Sequence, residues 1–251
     1  MNIQINHKYD HLKEYIESIP AVFEAEGEYI YGGRRNLIKL FIAPDGTKLN
    51  VKRYHVPGGL NKIIYSFNLR KPKGQRAFDY PAILLSKGID TPEAVAYMEE
   101  RHGKLLGLSY LVTIQCPFDK NLYQFGNAKE GEYEDMAVAL AHFTAKMHDN
   151  EVLHRDFSPG NILWTNGEDG AFMFSIVDIN RMFFGKVGIT LGCKNFARLW
   201  GPKQFFIIMA HEYAKARGLD EDSCERLVLM FRANFWKRYS RKHDVDFEIE
   251  Y

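Results

Sequence analysis

Apolar positions recur along this chain with two different periods, and the change of period marks two unlike halves. Over residues 7–18, Leu12, Tyr15 and Ile16 share one side at helical spacing and predict a short helix. From residue 21 the pattern turns strand-like: Val22, Phe23, Tyr29, Ile30 and Tyr31 lead into Gly32-Gly33-Arg34-Arg35-Asn36. Residues 37–43 and 48–55 read as the next two strands. Between them stands Pro44-Asp45-Gly46-Thr47, where proline presets φ and glycine takes a positive φ. Three strands in an antiparallel meander follow from this pattern. Leu60, Ile63, Ile64 and Phe67 stand at helical spacing over 60–69. A basic loop over 70–76 comes next, then a helix over 77–87 that Gly88 stops, with Pro81 tolerated near its first turn. Residues 94–99 and 105–115 read as two further strands closing the sheet.

Beyond Cys116-Pro117 helical spacing takes over. Residues 132–150 carry Met136, Leu140, Phe143 and Met147 as one apolar stripe. Val152-Leu153 is a short buried segment. Ile162-Leu163-Trp164 and residues 172–177 read as two strands about a polar turn at 166–170. After a loop over 185–192, helices are expected over 193–199, 202–217 and 222–242. Phe205, Ile208, Met209 and Tyr213 form the buried face of the second of these. Leu227, Met230, Phe231, Asn234 and Phe235 form that of the third. The expected class is α+β in two lobes: residues 1–116 as a small antiparallel sheet with helices, and residues 117–251 as a mainly helical lobe.

Composition narrows the function classes. With 251 residues, 46% apolar and 26% charged, the chain can bury a sizeable core and does not read as disordered. A net charge of +1 gives no global argument for nucleic acid as a partner. Cys116, Cys193 and Cys224 lie far apart without CxxC spacing, and read as reduced thiols with no zinc site. His142 and His148 lack metal-ligand spacing and read as surface or packing residues. The start is polar rather than apolar, and the run at 205–210 is far too short for a bilayer, so a cytoplasmic protein is expected. Arg232, Lys237, Arg238, Arg241, Lys242 and His243 make the last helix end basic. Favourable charge at a helix C-terminus explains this, with peripheral contact to an anionic membrane or glycolipid as the sharper alternative.

The chemistry concentrates between His154 and Asp178. His154, Arg155, Asp156 and Asn161 fit H-R-D-x-x-x-x-N, and Asp178 closes the strand pair that follows. That order suits phosphoryl transfer: Asp156 orients an attacking hydroxyl and accepts its proton, and Asn161 and Asp178 hold the metal that bridges ATP phosphates. His154 reads as a structural residue of the loop. Arg155 either meets a phosphate or braces the loop. Upstream, Lys52 on the third predicted strand is placed for the α/β-phosphates, with Arg53 on the opposite face. Asp79 is the best-placed acid to pair with Lys52, against the rival reading of a simple exposed Asp. Gly32 and Gly33 form a candidate phosphate cover with Arg34 or Arg35, but no full G-x-G-x-x-G is present and an ordinary hairpin turn explains the run equally. The strand carrying Tyr110 and Val112 is the expected adenine-binding hinge, through its backbone. Ile179-Asn180-Arg181 follows Asp178 where a protein kinase has Phe-Gly, and no Ala-Pro-Glu follows, which argues against a regulated protein kinase. Asn180 and Arg181 are candidates for contact with substrate or phosphate.

HRDFSPGNIL followed by IVDINR resembles the bacterial lipopolysaccharide kinase family, the Kdo and core-heptose kinases. AFDYPAILLSKGIDTPEAVAYME is similar to that family's helix-to-strand segment, whereas PGNIL is more weakly similar to aminoglycoside and choline phosphotransferases. The resemblance runs from about the third strand to Arg181. It implies a protein-kinase-like fold that uses ATP and Mg²⁺, or Mn²⁺ in its place, to phosphorylate a sugar hydroxyl of the lipid A–core region at the inner face of the inner membrane. Asp79 stands where that resemblance leads one to expect Glu, and the glycine run is irregular. An atypical protein Ser/Thr kinase, another small-molecule phosphotransferase and a nucleotide-binding pseudokinase scaffold are the alternatives. Retention of Lys52, Asp156, Asn161 and Asp178 counts against the scaffold.

Overall fold

The computed structural model describes residues 1–32, 36–56, 58–59, 65–66 and 71–250. Gly33, Arg34, Arg35 and most of the helix expected over 60–69 fall outside them. The chain divides into two compact units, Met1–Pro117 and Phe118–Tyr251.

The first unit is built on a six-stranded antiparallel sheet. Its strands are β1 (Asn2–Ile5), β2 (Glu28–Gly32), β3 (Asn36–Ile42), β4 (Lys48–Tyr54), β5 (Ala94–His102) and β6 (Leu105–Ile114), in the order β1-β5-β6-β4-β3-β2. Helix α1 (Lys13–Val22) and helix α2 (Lys73–Ser86) cover opposite faces. Strand alternation decides which residue meets which helix. Leu49 and Val51 of β4 join Tyr110 and Val112 of β6 in one core with Ile16, Ile19 and Phe23 from the α1 side. Full burial of each such apolar side chain contributes about 1.5–3 kcal/mol. On the other face Tyr54 and Leu111 pack with Ala77 and Phe78 of α2. Lys52 stands directly opposite Leu111, so it shares the α2 face, and Arg53 takes the α1 face as the alternation predicts.

Several expected boundaries move. The segment from residue 21 is not yet strand: α1 runs to Val22, and Phe23 is fully buried beneath the sheet. Short apolar runs fit both periods, so the pattern could not separate them. Strand β1 escaped notice because NIQI offers only two apolar positions. Helix α2 begins four residues before the expected start, so the basic residues 73–76 form its first turn and Pro81 lies well inside it.

The second unit is mainly helical. It contains β7 (Lys120–Asn121), α3 (Glu134–Asp149), β8 (Val152–His154), β9 (Ile162–Asn166), β10 (Phe172–Ile176), β11 (Met182–Phe184), α4 (Ile189–Asn195), α5 (Lys203–Arg217) and α6 (Glu221–Tyr239). Strands β7, β9 and β10 form one small sheet, and β8 pairs with β11 in another. Helix α4 begins inside the stretch expected to be loop.

The buried stripe of α6 differs from the expected one. Cys224, Val228, Arg232 and Trp236 face inward, while Met230 and Asn234 are exposed and Phe231 and Phe235 half-buried. The cause is Arg232, only 1% exposed. It donates to the carbonyls of Gly201, at 2.8 Å, and Glu250, and lies over the Phe206 ring. A buried arginine scores as polar in any periodicity reading, so the pattern selects the wrong phase, and two phenylalanines are left half-buried.

Contact between α2 and the sheet depends on Gly74, where an added Cβ would run into the Tyr97 ring and crowd Tyr54. Gly74→Ala is expected to lower stability by about 1–3 kcal/mol through overpacking, read from the urea midpoint. An unchanged midpoint would show that Tyr97 yields without cost.

Candidate active site

The loop after β8 is held by the segment after Asp178. Strand β8 pairs with β11, with His154 opposite Met182, and the Arg155 N–H donates to the Arg181 carbonyl at 3.1 Å. Between these backbones lies His154, fully buried. Its Nδ1 accepts from the Asp156 N–H at 3.0 Å, and its Nε2 lies 3.0 Å from the Val177 carbonyl. An amide N–H can only donate and a carbonyl can only accept, so the ring is neutral and carries its proton on Nε2. Burial, which disfavours the charged ring, lowers its pKa and acts in the same direction. One side chain thereby ties the backbone of Asp156 to the residue preceding Asp178.

Asn161 is aimed by the same loop. Its Nδ2 donates to the Asp156 carbonyl at 2.8 Å, which leaves its side-chain oxygen as an acceptor. The Val177 N–H donates to the Asn161 carbonyl at 3.0 Å, so Asn161 and Asp178 meet at one end of the β9–β10 hairpin. Asp178 takes a left-handed backbone, φ 54 and ψ 43, a region sparsely used by residues other than glycine. Asn180 Nδ2 donates to Asp178 Oδ1 at 2.6 Å, while Asn180 Oδ1 is buried without a hydrogen-bond partner among the described residues. Carboxylate and amide oxygens are the donors that Mg²⁺ or Mn²⁺ takes, with phosphate oxygens completing the shell. Asn161 and Asp178 together offer one oxygen donor of each kind, and among the described residues no group of three or more His, Cys, Asp or Glu side chains could hold a metal ion.

The Asp156 carboxylate is gripped by two arginines. Arg198 pairs with Oδ1, and Arg181 Nη1 lies 3.5 Å from Oδ2. Arg198 went unmarked in the sequence because no motif joins it to a loop 42 residues away. Arg155 does not reach into this pair; its guanidinium lies over the Phe183 ring. Beneath the loop runs a second network that was equally unmarked. Asn195 Nδ2 donates to the His154 carbonyl at 2.9 Å, and its Oδ1 lies 3.1 Å from His148 Nε2. His148 Nδ1 lies 2.7 Å from the Tyr213 hydroxyl, which also takes a hydrogen bond from Arg217. Burial pushes the His148 pKa down to about 4.

The remaining candidate residues belong to the first unit. Lys52 lies mid-strand on the α2 face, half-buried, its Nζ 5.4 Å from the Tyr54 ring centre. Asp79 lies on α2, and its carboxylate accepts from Lys71 Nζ at 2.8 Å and Gln75 Nε2 at 2.9 Å. On the same sheet face sits a buried acid that the sequence reading passed over, Glu99, held by Arg101 at 2.7 Å and by the Tyr97 hydroxyl at 3.0 Å. Gly32 ends β2 against Leu37, and Gly33 falls outside the described residues. Tyr110 and Val112 need correction as hinge residues. Strand β6 is paired along both edges, with β4 and β5, and both side chains lie in the α1 core. The ladders occupy the backbone groups that a purine edge would need.

With this geometry in view, three comparisons bear on the chain. The model of the lipopolysaccharide kinase (Kdo/WaaP) family matches residues 26–198, a span that ends on Arg198. A solved structure of WaaP in complex with acyl carrier protein is similar at a TM-score of 0.61 and 17% identity, over 97% of this chain and 100% of that one. The Rio2 kinase–ADP/Mg²⁺–phosphoaspartate complex from Chaetomium thermophilum gives a TM-score of 0.49 at 14% identity, over 95% of this chain and 65% of that one. No curated protein matches.

The two buried histidines set a pH dependence. Each has a folded-state pKa below the ordinary value near 6.5, so the unfolded chain binds more protons below that pH and stability falls with acidification. Between about pH 6.5 and 4, His148 alone is expected to cost about 3 kcal/mol, seen as a falling urea midpoint. His148→Gln should flatten that slope. A midpoint that stays level in the wild-type protein would contradict the buried neutral ring.

Proposed function

The chain belongs to the lipopolysaccharide kinase (Kdo/WaaP) family and has a protein-kinase-like fold, and from this premise we propose the reaction and its residues. This kinase transfers the γ-phosphoryl group of ATP to a sugar hydroxyl, Kdo or heptose, of a lipopolysaccharide inner-core glycolipid. The observation that carries the reading is the hydrogen-bond set of the loop: His154 fixes the Asp156 backbone, and Asn161, tied through its Nδ2 to the Asp156 carbonyl, keeps its own oxygen as an acceptor.

The roles follow from those groups. Asp156 orients the acceptor hydroxyl and accepts its proton as the new O–P bond forms and ADP leaves. A loose transition state needs little early proton removal, so positioning outweighs basicity. Asn161 and Asp178 hold the divalent ion, which when bound neutralises charge on the phosphates. Lys52 contacts the phosphates, Asp79, which accepts from Lys71 and Gln75 here, is the α2 acid for that lysine, and Gly32 lies in the nucleotide cover. No described helix is long and apolar enough to cross a membrane. A place at the cytoplasmic face of the inner membrane, held peripherally, agrees with the acceptor.

Purified protein given labelled ATP and Mg²⁺, with lipid A–Kdo or core oligosaccharide beside a generic protein substrate, tests the reading. Label is expected in the glycolipid alone. Label only in protein would overturn the acceptor, and ATP binding without transfer to either would favour a scaffold. In the same assay Asp156→Ala should lower turnover by about 10²–10⁴-fold with nucleotide affinity retained, whereas Asp178→Ala should weaken Mg·ATP binding. Full turnover by Asp156→Ala would refute its role.

A further inference from the structure

We propose that a groove of about 750 Å³ inside the second unit seats the acceptor, and that it recognises anionic groups on the glycolipid beside the hydroxyl to be phosphorylated. The proposal rests on the acceptor reading above.

The groove is bordered by β8, β11, α4 and the C-terminal half of α6, and six arginine or lysine side chains line it: Arg155, Arg181, Lys194, Arg198, Arg238 and Lys242. None of its lining residues is acidic. Arg181 and Arg198 share the Asp156 carboxylate. Arg155, Lys194, Arg238 and Lys242 have no carboxylate partner among the described residues. Two of these lie over aromatic rings instead: Arg155 over Phe183 at 5.4 Å and Lys194 over Phe231 at 5.9 Å. Arg198, besides holding Asp156, lies 5.4 Å over Phe235. Uncompensated positive charge above half-buried rings complements a ligand that is anionic at its groups and apolar on its faces. A sugar ring has such faces, and carboxylates or phosphates on it supply the charge. The rings are recessed in a concavity, which suits a discrete headgroup rather than a flat bilayer surface.

Position links the groove to chemistry. Arg181 and Arg198 reach from its wall to Asp156, so a sugar seated there has a hydroxyl close to the orienting carboxylate. An anion of the acceptor that takes a hydrogen bond from Arg198 also draws that arginine from Asp156 Oδ1 and frees the oxygen for the hydroxyl. The half-buried Phe231 and Phe235 thereby acquire a use: burial of Arg232 in their place leaves them lining this groove.

Binding of fluorescently labelled lipid A–Kdo, without nucleotide, tests the groove. The wild-type protein should bind it, more weakly as salt rises. The double variant Lys194→Glu/Lys242→Glu should lose at least tenfold in affinity, and Phe231→Ala should weaken binding at every salt concentration. Melting temperatures and ATP affinity of the variants, close to wild type, would exclude misfolding, and Arg155→Gln, just after β8, should weaken glycolipid binding independently. Glycolipid binding by the double variant equal to wild type would overturn the proposal. So would phosphatidylglycerol vesicles without glycolipid binding as tightly and with the same dependence on the four substituted residues, since the groove would then be a membrane contact. The two readings fail separately. Groove-dependent binding without phosphoryl transfer sinks the reaction proposed above and leaves the groove, whereas transfer that persists with unchanged affinity in the variants sinks the groove alone.

Discussion

A single neutral imidazole carries the geometry of the second unit. His154 accepts from the Asp156 amide on one nitrogen and donates to the Val177 carbonyl from the other. Protonation would put a donor against a donor at Nδ1, so the arrangement exists only while the ring is uncharged. Burial supplies that condition, because a fully enclosed imidazole loses the hydration that would stabilise its charge. Asp156, Asn161 and Asp178 sit on two separate segments, and the His154 side chain hydrogen-bonds to the backbone of both. The β8–β11 ladder and the amide of Asn161 extend the same tie.

That tie is itself anchored from below. Asn195, His148, Tyr213 and Arg217 hand hydrogen bonds from the α5 end to the carbonyl of His154. A buried chain of this kind stabilises only when each member is satisfied, since an unpaired polar group in a low dielectric is costly. Above it, Asp178 holds a left-handed backbone and Asn180 leaves a buried oxygen unpartnered among the described residues. Local strain beside the carboxylate proposed to hold the metal is where a site trades stability for placement. The arginines on Asp156 belong to the same economy of position: they fix a carboxylate whose proposed task is orientation.

The parts readable from sequence are those whose partners lie nearby along the chain. His154, Asp156 and Asn161 fall within eight residues, and Asp178 follows one hairpin later, so spacing alone carries their relation. Lys52 and Arg53 were separable because strand alternation is strict. The paired strands and the long helix before the loop came from period in the same way. What escaped depends on contacts between distant segments. Arg198 meets Asp156 across 42 residues. Arg232 is buried by two carbonyls from remote turns, and no polarity scale anticipates a core arginine. Tyr110 and Val112 looked like a hinge because β6 ends the first unit, yet two neighbours enclose that strand, which only sheet order reveals.

The tie between Asp156 and Asp178 depends on the state of His154, and nitrogen-15 NMR of its imidazole reads that state directly. The ring is expected to be a neutral tautomer protonated on Nε2, with Nδ1 as a hydrogen-bond acceptor, and to keep that signature as the pH falls through 6.5, where an ordinary histidine takes up its proton. A ring that titrates there, or that carries its proton on Nδ1, would contradict the tie between Asp156 and Asp178 on which the rest is built.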